Sequence, residues 1–232
     1  MQLTFASYNI HKGVGTDGKR DPERIIAVLR ELHADIIALQ ECDRRFGERE
    51  SILPKAALDD THWRAVNLGK RPRSLGWHGN AILVRRDIEV LDQDVLDLPT
   101  LEPRGAVRAD LSIEGQHLRV LGMHLDLSGL RRRDQIRAVL RHCDGHENPC
   151  PTVLMGDFNQ WGQERGAMRE FGPGWSALAT GRSFPSRQPL AALDRIVVSD
   201  HWSCREAGVH HSALAVQASD HLPIVARLEL AA

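Results

Sequence analysis

The chain has 232 residues, 42% of them apolar and 26% charged, with a formal net charge of −1. That length suits one domain or two closely packed halves, and the composition is that of a globular protein with a sizeable core. Near-neutrality excludes a uniformly cationic nucleic-acid coat but leaves room for a local basic groove.

Leu3–Tyr8 reads as a short strand, and Asp21-Pro22 opens a helix, with Asp as N-cap and Pro at the first helical position. Ile25, Ile26, Val28, Leu29 and Leu32 give that helix one apolar stripe. Ile36–Leu39 is a continuous apolar run, the signature of a strand buried on both faces. Further strands are predicted at Trp63–Asn67, Asn80–Arg85, Ala106–Ile113 and Leu118–Met123. A helix over Arg131–His142, a buried strand at Thr152–Met155 and a short helix over Gln163–Phe171 follow, and Leu193–Ser199 and Ile224–Leu230 are the last strands. Strands outnumber helices and the two are interspersed, without an obvious linker or repeat, so residues 1–232 read as a single layered α/β domain.

The residues that follow the strands carry the functional signal. Tyr8 leads to Asn9, Leu39 to Gln40-Glu41, Met123 to His124, Met155-Gly156 to Asp157-Phe158-Asn159, and Ala218-Ser219 to Asp220-His221. Each piece alone is weak: an Asp-x-Asn after a strand is commonly a turn or helix cap, and an Asp-His step a polar loop. Together they deliver carboxylates, amides and imidazoles to one rim of a sheet. Glu41, Asp157 and Asp220 gathered there would repel one another. A hard divalent cation such as Mg²⁺ relieves that repulsion, taking one or two carboxylates plus waters and phosphate oxygens.

The longest run without Asp, Glu, Lys or Arg is Ala207–Ser219, thirteen residues that include His210 and His211, too short and too polar to span a bilayer. No signal peptide is visible at the N-terminus. Cys42, Cys143, Cys150 and Cys204 are scattered, as expected of reduced thiols in a cytoplasmic protein, and indicate no zinc site. Of the thirty basic residues only four are Lys; the Arg bias suits bidentate phosphate contacts but fits genome composition better.

Seven segments, in order, resemble the motif set of the endonuclease/exonuclease/phosphatase superfamily. They are Ser7-Tyr8-Asn9-Ile10, Leu39-Gln40-Glu41, Gly79-Asn80-Ala81, Met123-His124-Leu125, Gly156-Asp157-Phe158-Asn159, Leu193-Asp194-Arg195-Ile196 and Ser219-Asp220-His221-Leu222-Pro223-Ile224. That superfamily includes apurinic endonucleases, pancreatic-type deoxyribonucleases, tyrosyl-DNA phosphodiesterases, neutral sphingomyelinases and inositol polyphosphate 5-phosphatases. The resemblance implies a four-layer α/β sandwich, two central mixed β-sheets packed face to face with helices outside, and a metal-dependent phosphoesterase.

It also implies roles. Glu41 matches the principal Mg²⁺ ligand, with Mn²⁺ able to substitute; Asn9 supports it and Asp220 adds charge at or behind the metal. Asp157 matches the residue that orients or deprotonates the attacking water, and Asn159 the amide that holds phosphate. His221 matches the imidazole facing phosphorus, Asp194 the carboxylate that fixes its tautomer, and His124 a donor to a non-bridging oxygen. Arg104 stands where related enzymes carry an Arg near the substrate, with a surface ion pair an equal reading; Asn80 is either a substrate contact or a turn residue.

Several basic segments stay open. His11 and Lys12 could touch substrate or lie in a solvated loop; Arg131–Arg133 is a solvated helix face or a phosphate track; the 70–78 loop, with Trp77 and His78, is a substrate loop or an exposed one. His210-His211 reads as structural or solvent-exposed. The first reading of the whole is a Mg²⁺-dependent nuclease or DNA-end phosphodiesterase. A phosphatase or phospholipase-like hydrolase of a small phosphoester or lipid headgroup is the alternative. A binding protein that has lost catalysis is a remote third, since every core position holds a competent residue.

Overall fold

The computed structural model describes residues 1–68, 70–100, 104–145, 150–162 and 165–231. Twelve strands form two six-stranded mixed sheets. Sheet one runs β11 (Trp202–Val209), β12 (Ile224–Leu230), β1 (Gln2–Asn9), β2 (Ile36–Gln40), β4 (Ala81–Arg85), β3 (Trp63–Ala65). Sheet two runs β5 (Glu89–Asp97), β6 (Gly105–Ile113), β7 (Gln116–His124), β8 (Thr152–Asp157), β10 (Asp194–Ser199), β9 (Trp175–Ala177). The pairs β1–β2 and β7–β8 are parallel and the other neighbours antiparallel. Helices α1 (Pro22–Glu31), α2 (Lys55–Asp59), α3 (Gly129–Asp144) and α4 (Ala213–Ala218) complete the elements, with two short 3₁₀ turns.

Strand side chains alternate faces, so sequence parity assigns each residue a layer. Phe5, Ile36, Ala38 and Ile82 of sheet one pack with Val107, Val120, Val153, Met155 and Ile196 of sheet two in one core between the sheets. Their strand neighbours Ala6, Tyr8, Ile37, Leu39 and Leu83 face outward and bury Ile25, Val28 and Leu29 of α1 and Ala215 of α4. On the far side Leu121, Met123, Leu154 and Val197 pack on Ile136 and Val139 of α3. The result is the four-layer sandwich of helices, sheet, sheet and helices. Gly122 belongs to the inner row, where a Cβ would lie 3.2 Å from Ala38 Cβ, so the sheets meet closely at that point.

The inner parity is what positions the polar residues. Continuing the inner rows to the strand ends gives Ser7 and Asn9 on β1, Gln40 on β2, His124 on β7 and Asp157 on β8, while Asp194 starts the inner row of β10. The same alternation that fills the core with Phe5, Val120 and Met155 therefore puts polar groups into the seam where the core ends.

The predicted elements differ from the structure mainly at edges. β5, β9 and β11 and the short helices α2 and α4 have no counterpart among the predicted elements. β5 and β11 are edge strands with exposed charge (Glu89, Asp92, Asp94 and Asp97 in β5), which blunts edge pairing and erases the apolar alternation, and β9 is a three-residue edge strand. β3 stops at Ala65, short of the expected Asn67. Only a 3₁₀ turn, Gly166–Glu170, stands in the helix expected over 163–171, of which 163 and 164 lie outside the described residues. Its first residue has φ +61°, outside the right-handed helical region. The α1 cap is as expected, with Arg24 N donating to Asp21 Oδ1 at 3.0 Å.

Candidate active site

Three neighbouring strands bring three of the polar side chains into one row. In the ladder His124 of β7 pairs with Asp157 of β8, and Asp157 pairs with Asp194 of β10. Sheet one supplies the opposing wall, with Asn9 and Gln40 paired across β1 and β2 and Glu41 next in the chain. The turn before β12 supplies Asp220 and His221, held from behind: Ser219 Oγ donates to Asn9 O at 2.8 Å and Leu222 N to Ser183 O at 2.8 Å.

Asp157 is the meeting point. Its Oδ2 accepts from Asn9 Nδ2 at 3.1 Å and lies 3.3 Å from His124 Nε2 and 3.8 Å from His221 Nε2, while Oδ1 accepts from Asn159 N at 2.9 Å. Burial alone would push this carboxyl up, yet the two imidazoles and the Asn159 N–H hold it below the usual carboxylate range, so it is ionised. His221 is also buried, which alone would lower its pKa. Its Nδ1 donates to Asp194 Oδ2 at 2.8 Å, and Asp194, with Asp157 and Asp220 nearby, pushes it up to about 10. Ser183 Oγ donates to the same Asp194 oxygen, fixing the carboxylate that fixes the ring.

Local backbone geometry sets these side chains. Gly156 precedes Asp157 at φ +154°, and a Cβ there would sit 1.8 Å from Met123 O, so glycine alone lets β7 and β8 close up at the row. Glu41 leaves β2 in the left-handed region at φ +55°, which ends the strand and aims the carboxylate away from the ladder. His11 N donates to Asn9 Oδ1 at 3.1 Å, so both ends of the Asn9 amide are used. Asn159 Nδ2 donates to Leu125 O at 2.9 Å.

Glu41 opens on a cleft that it lines with Lys12, Asp43, Arg44, Arg45, Arg49, His78, Gly79, Arg104 and His124. Burial raises the Glu41 pKa, but His124 and the Lys12 ammonium outweigh it and lower the net value. Lys12 is ion-paired with Glu41 Oε2, so this carboxylate already takes a cation. Arg104 reaches His124 Nε2, the nitrogen that also faces Asp157. One ring nitrogen cannot accept from a guanidinium and donate to a carboxylate at once, so these two contacts are mutually exclusive.

Asp157, Asp194 and His221 have ligand atoms all within 4.8 Å of one another. Of those three, Asp194 is fully buried and its Oδ2 accepts from both Ser183 and His221, while a His221 held protonated has no lone pair for a metal. Glu41, part-exposed and turned to the cleft, with the ionised Asp157 near the same His124, fits a hard oxygen-seeking cation better.

The remaining candidates divide. Asn80 is fully buried and its Nδ2 donates to Trp77 O and Gly105 O, bridging the two sheets instead of facing the cleft. His11 stands 3.7 Å from Asp220. Arg132 donates to Asp126 O, Leu127 O and Gln160 Oε1 and Arg133 approaches Glu170, so two of the three cations at 131–133 are tied into the fold. His210 pairs with Glu31. Sequence reading missed Ser183 and the cleft arginines Arg44, Arg45 and Arg49; the spacing Asp43-Arg44-Arg45 just after Glu41 was the available signal for the latter.

The raised His221 value has a sign that can be checked. The pair with Asp194 stabilises the fold fully below the ordinary imidazole pKa, and that contribution is lost as pH rises through about 10. In NMR titrations the His221 ring is expected to keep its proton to about pH 10, and Asp194→Asn should bring the midpoint down by at least about one unit. An unmoved midpoint would show that Asp194 is not the cause.

Residues 6–221 match the family model described as the endonuclease/exonuclease/phosphatase family. The chain belongs to this family. A curated relative, the uncharacterized protein YbhP of Escherichia coli (strain K12), is 29% identical over 257 residues, covering 99% of this chain and 98% of its own length. Among solved members of the fold, D. rerio TDP2 complexed with single strand DNA product superposes with a TM-score of 0.75 at 16% identity, over 98% of this chain and 99% of that one. A mannosyl-6-phosphatase from Bacteroides thetaiotaomicron superposes with a TM-score of 0.76 at 19% identity, over 98% of this chain and 100% of that one. The endonuclease/exonuclease/phosphatase fold and a phosphoesterase type of enzyme are thereby established for this chain. No helix among the described residues is long and apolar enough to cross a membrane.

Proposed function

We propose that this chain, acting as one domain in the cytoplasm, hydrolyses a phosphodiester in nucleic acid with the help of Mg²⁺ or Mn²⁺. The observation that carries the reading is Asp157: a buried, ionised carboxylate faced by Asn9, His124 and His221 from three separate parts of the chain, beside a cleft lined by Glu41. Asp157 orients the attacking water and accepts its proton, and Asn9 and the Asn159 N–H keep it aimed. The His221 imidazolium, locked by Asp194, faces the charge that builds on the phosphoryl oxygens, and Asn159 holds the phosphate. A phosphate that draws Arg104 to itself releases His124 Nε2 to donate, so Arg104 and His124 bind the same anion in turn. Glu41, with Asp157 and Asp220, would hold the cation, which lowers the pKa of a bound water and takes up phosphate charge.

Nucleic acid is favoured by the cleft lining, which gathers Lys12, Arg44, Arg45, Arg49 and Arg104 beside Glu41 and Asp43 in a chain of net charge −1; Arg44 also lies 3.5 Å from Glu50. The single-strand DNA product in the TDP2 structure supports this class. The mannosyl-6-phosphatase neighbour supports a second reading, a sugar phosphate as substrate. The four unpaired cysteines suit the cytoplasm.

The test is a panel assay of the purified protein with Mg²⁺ and Mn²⁺ on single- and double-stranded DNA, RNA, a 5′-phosphotyrosyl oligonucleotide, inositol phosphates, mannose 6-phosphate and phospholipids. Turnover of an oligonucleotide is expected to exceed that of every small phosphoester. Turnover confined to the small esters or the lipids would overturn the nucleic-acid reading. No turnover of any substrate by folded, metal-loaded protein would leave only the binding-protein reading.

A further inference from the structure

The segment between Glu41 and Ile52 plays no part in the chemistry above. It is a loop pinched at its base by the Asp43–Ser51 bridge, with Arg44 N donating to Glu50 O at 2.9 Å and Ile52 N to Cys42 O at 2.8 Å. Asp43 anchors it from below, accepting from Ser74 Oγ at 2.6 Å and from Leu75 N at 2.8 Å, so this carboxylate is committed to the scaffold. Three arginines of the loop, Arg44, Arg45 and Arg49, line the cleft that holds Glu41 and His124.

Two features point outward. Arg49 reaches His78 Nδ1, a neutral ring acceptor, whereas Arg44 lies 3.5 Å from Glu50 Oε2. At the tip, Phe46 is 81% exposed, with the Arg45 guanidinium 5.9 Å from its ring centroid. An isolated ring held in water beside a cation is a platform on which a flat, polarisable group can stack.

Resting on the phosphodiesterase reading, we infer that the 42–51 loop is a subsite for single-stranded nucleic acid. Arg44, Arg45 and Arg49 take phosphates neighbouring the scissile one, and Phe46 stacks on an unpaired base. A duplex keeps its base faces stacked inside, so Phe46 discriminates against it. A bilayer fits less well: the loop exposes one large apolar side chain, Phe46, too little apolar surface to seat it in a membrane.

The experiment measures binding of fluorescein-labelled dT12, U12 and a 12-base-pair DNA duplex by anisotropy in EDTA, across a salt series. The protein is compared with Arg44→Ala/Arg45→Ala/Arg49→Ala and with Phe46→Ala, each checked for folding by circular dichroism. The triple variant should lose about tenfold or more in single-strand affinity, with the slope of log Kd against log salt falling by about two. Should it fail to fold, Arg45→Ala, exposed at the tip, should lower the slope by about 0.7. Phe46→Ala should cost about tenfold on dT12 or U12 while leaving the slope in place, and the larger loss identifies DNA or RNA as the natural strand. Unchanged affinity and slope, or an equal Phe46→Ala loss on duplex, would overturn the subsite. So would sedimentation with phosphatidylserine-containing vesicles that depends on Phe46. Turnover of bis(p-nitrophenyl) phosphate with Mn²⁺ separates the two readings: turnover without oligonucleotide binding removes the subsite alone, and loop-dependent binding without turnover removes the hydrolytic reading alone.

Discussion

Asp157→Asn is expected to lower kcat/KM by about 10⁴, the upper end of what a positioned base contributes. The size follows from its surroundings. Asp157 accepts from Asn9 Nδ2 at one oxygen and from the Asn159 N–H at the other, two donors that suit a group with only acceptor atoms. An Asn side chain of the same shape must point its own NH₂ at one of them, so the substitution removes the negative charge and also turns a contact into a donor–donor clash. Steady-state kinetics on the best substrate of the panel, with the fold checked by thermal melting, gives the answer. A folded variant within tenfold of the parent would remove Asp157 from the reacting centre.

Removal of divalent metal should suppress turnover by at least about 10³, with recovery on adding Mg²⁺ or Mn²⁺, because a metal acting on water and phosphate together supplies several kcal/mol. Glu41→Gln should behave as a graded form of the same loss, with a large fall in rate and a higher metal requirement. It should unfold little, since Gln keeps the shape of Glu41 and the Lys12–Glu41 pair lies on the cleft wall, outside the hydrophobic clusters. Full turnover in chelator would sink the metal assignment, and a Glu41→Gln enzyme with parental rate and metal titration would move the site away from Glu41.

Much of this centre is legible in the sequence. Asn9, Glu41, His124, Asp157 and His221 each follow an apolar run, and a strand that ends in a carboxylate or imidazole is conspicuous in sequence. What was not legible is which residues would meet. In strands buried on both faces, such as Ile36–Leu39, both parities are apolar, so nothing in the string says that Asn9 and Asp157 belong to inner rows. The pairing of Asp194 with His221, 27 positions apart, arises from sheet register and the turn before β12 and followed only from family resemblance. The 42–51 loop has no periodicity at all, and its arginines became visible only once Glu41 and His124 were seen to share their cleft.

The bonds that define the centre mostly run from one sheet to the other: Asn9 to Asp157, and His221 to both Asp157 and Asp194. Neither half of the sandwich carries a usable fragment of the chemistry. During folding, each sheet can complete its own hydrogen-bond ladder and still be catalytically silent, because the site comes into being only when the two faces dock. Recovered activity therefore clocks the docking event itself. It also means that a newly made chain lacks the centre until the turn before β12, which carries Asp220 and His221, has been added.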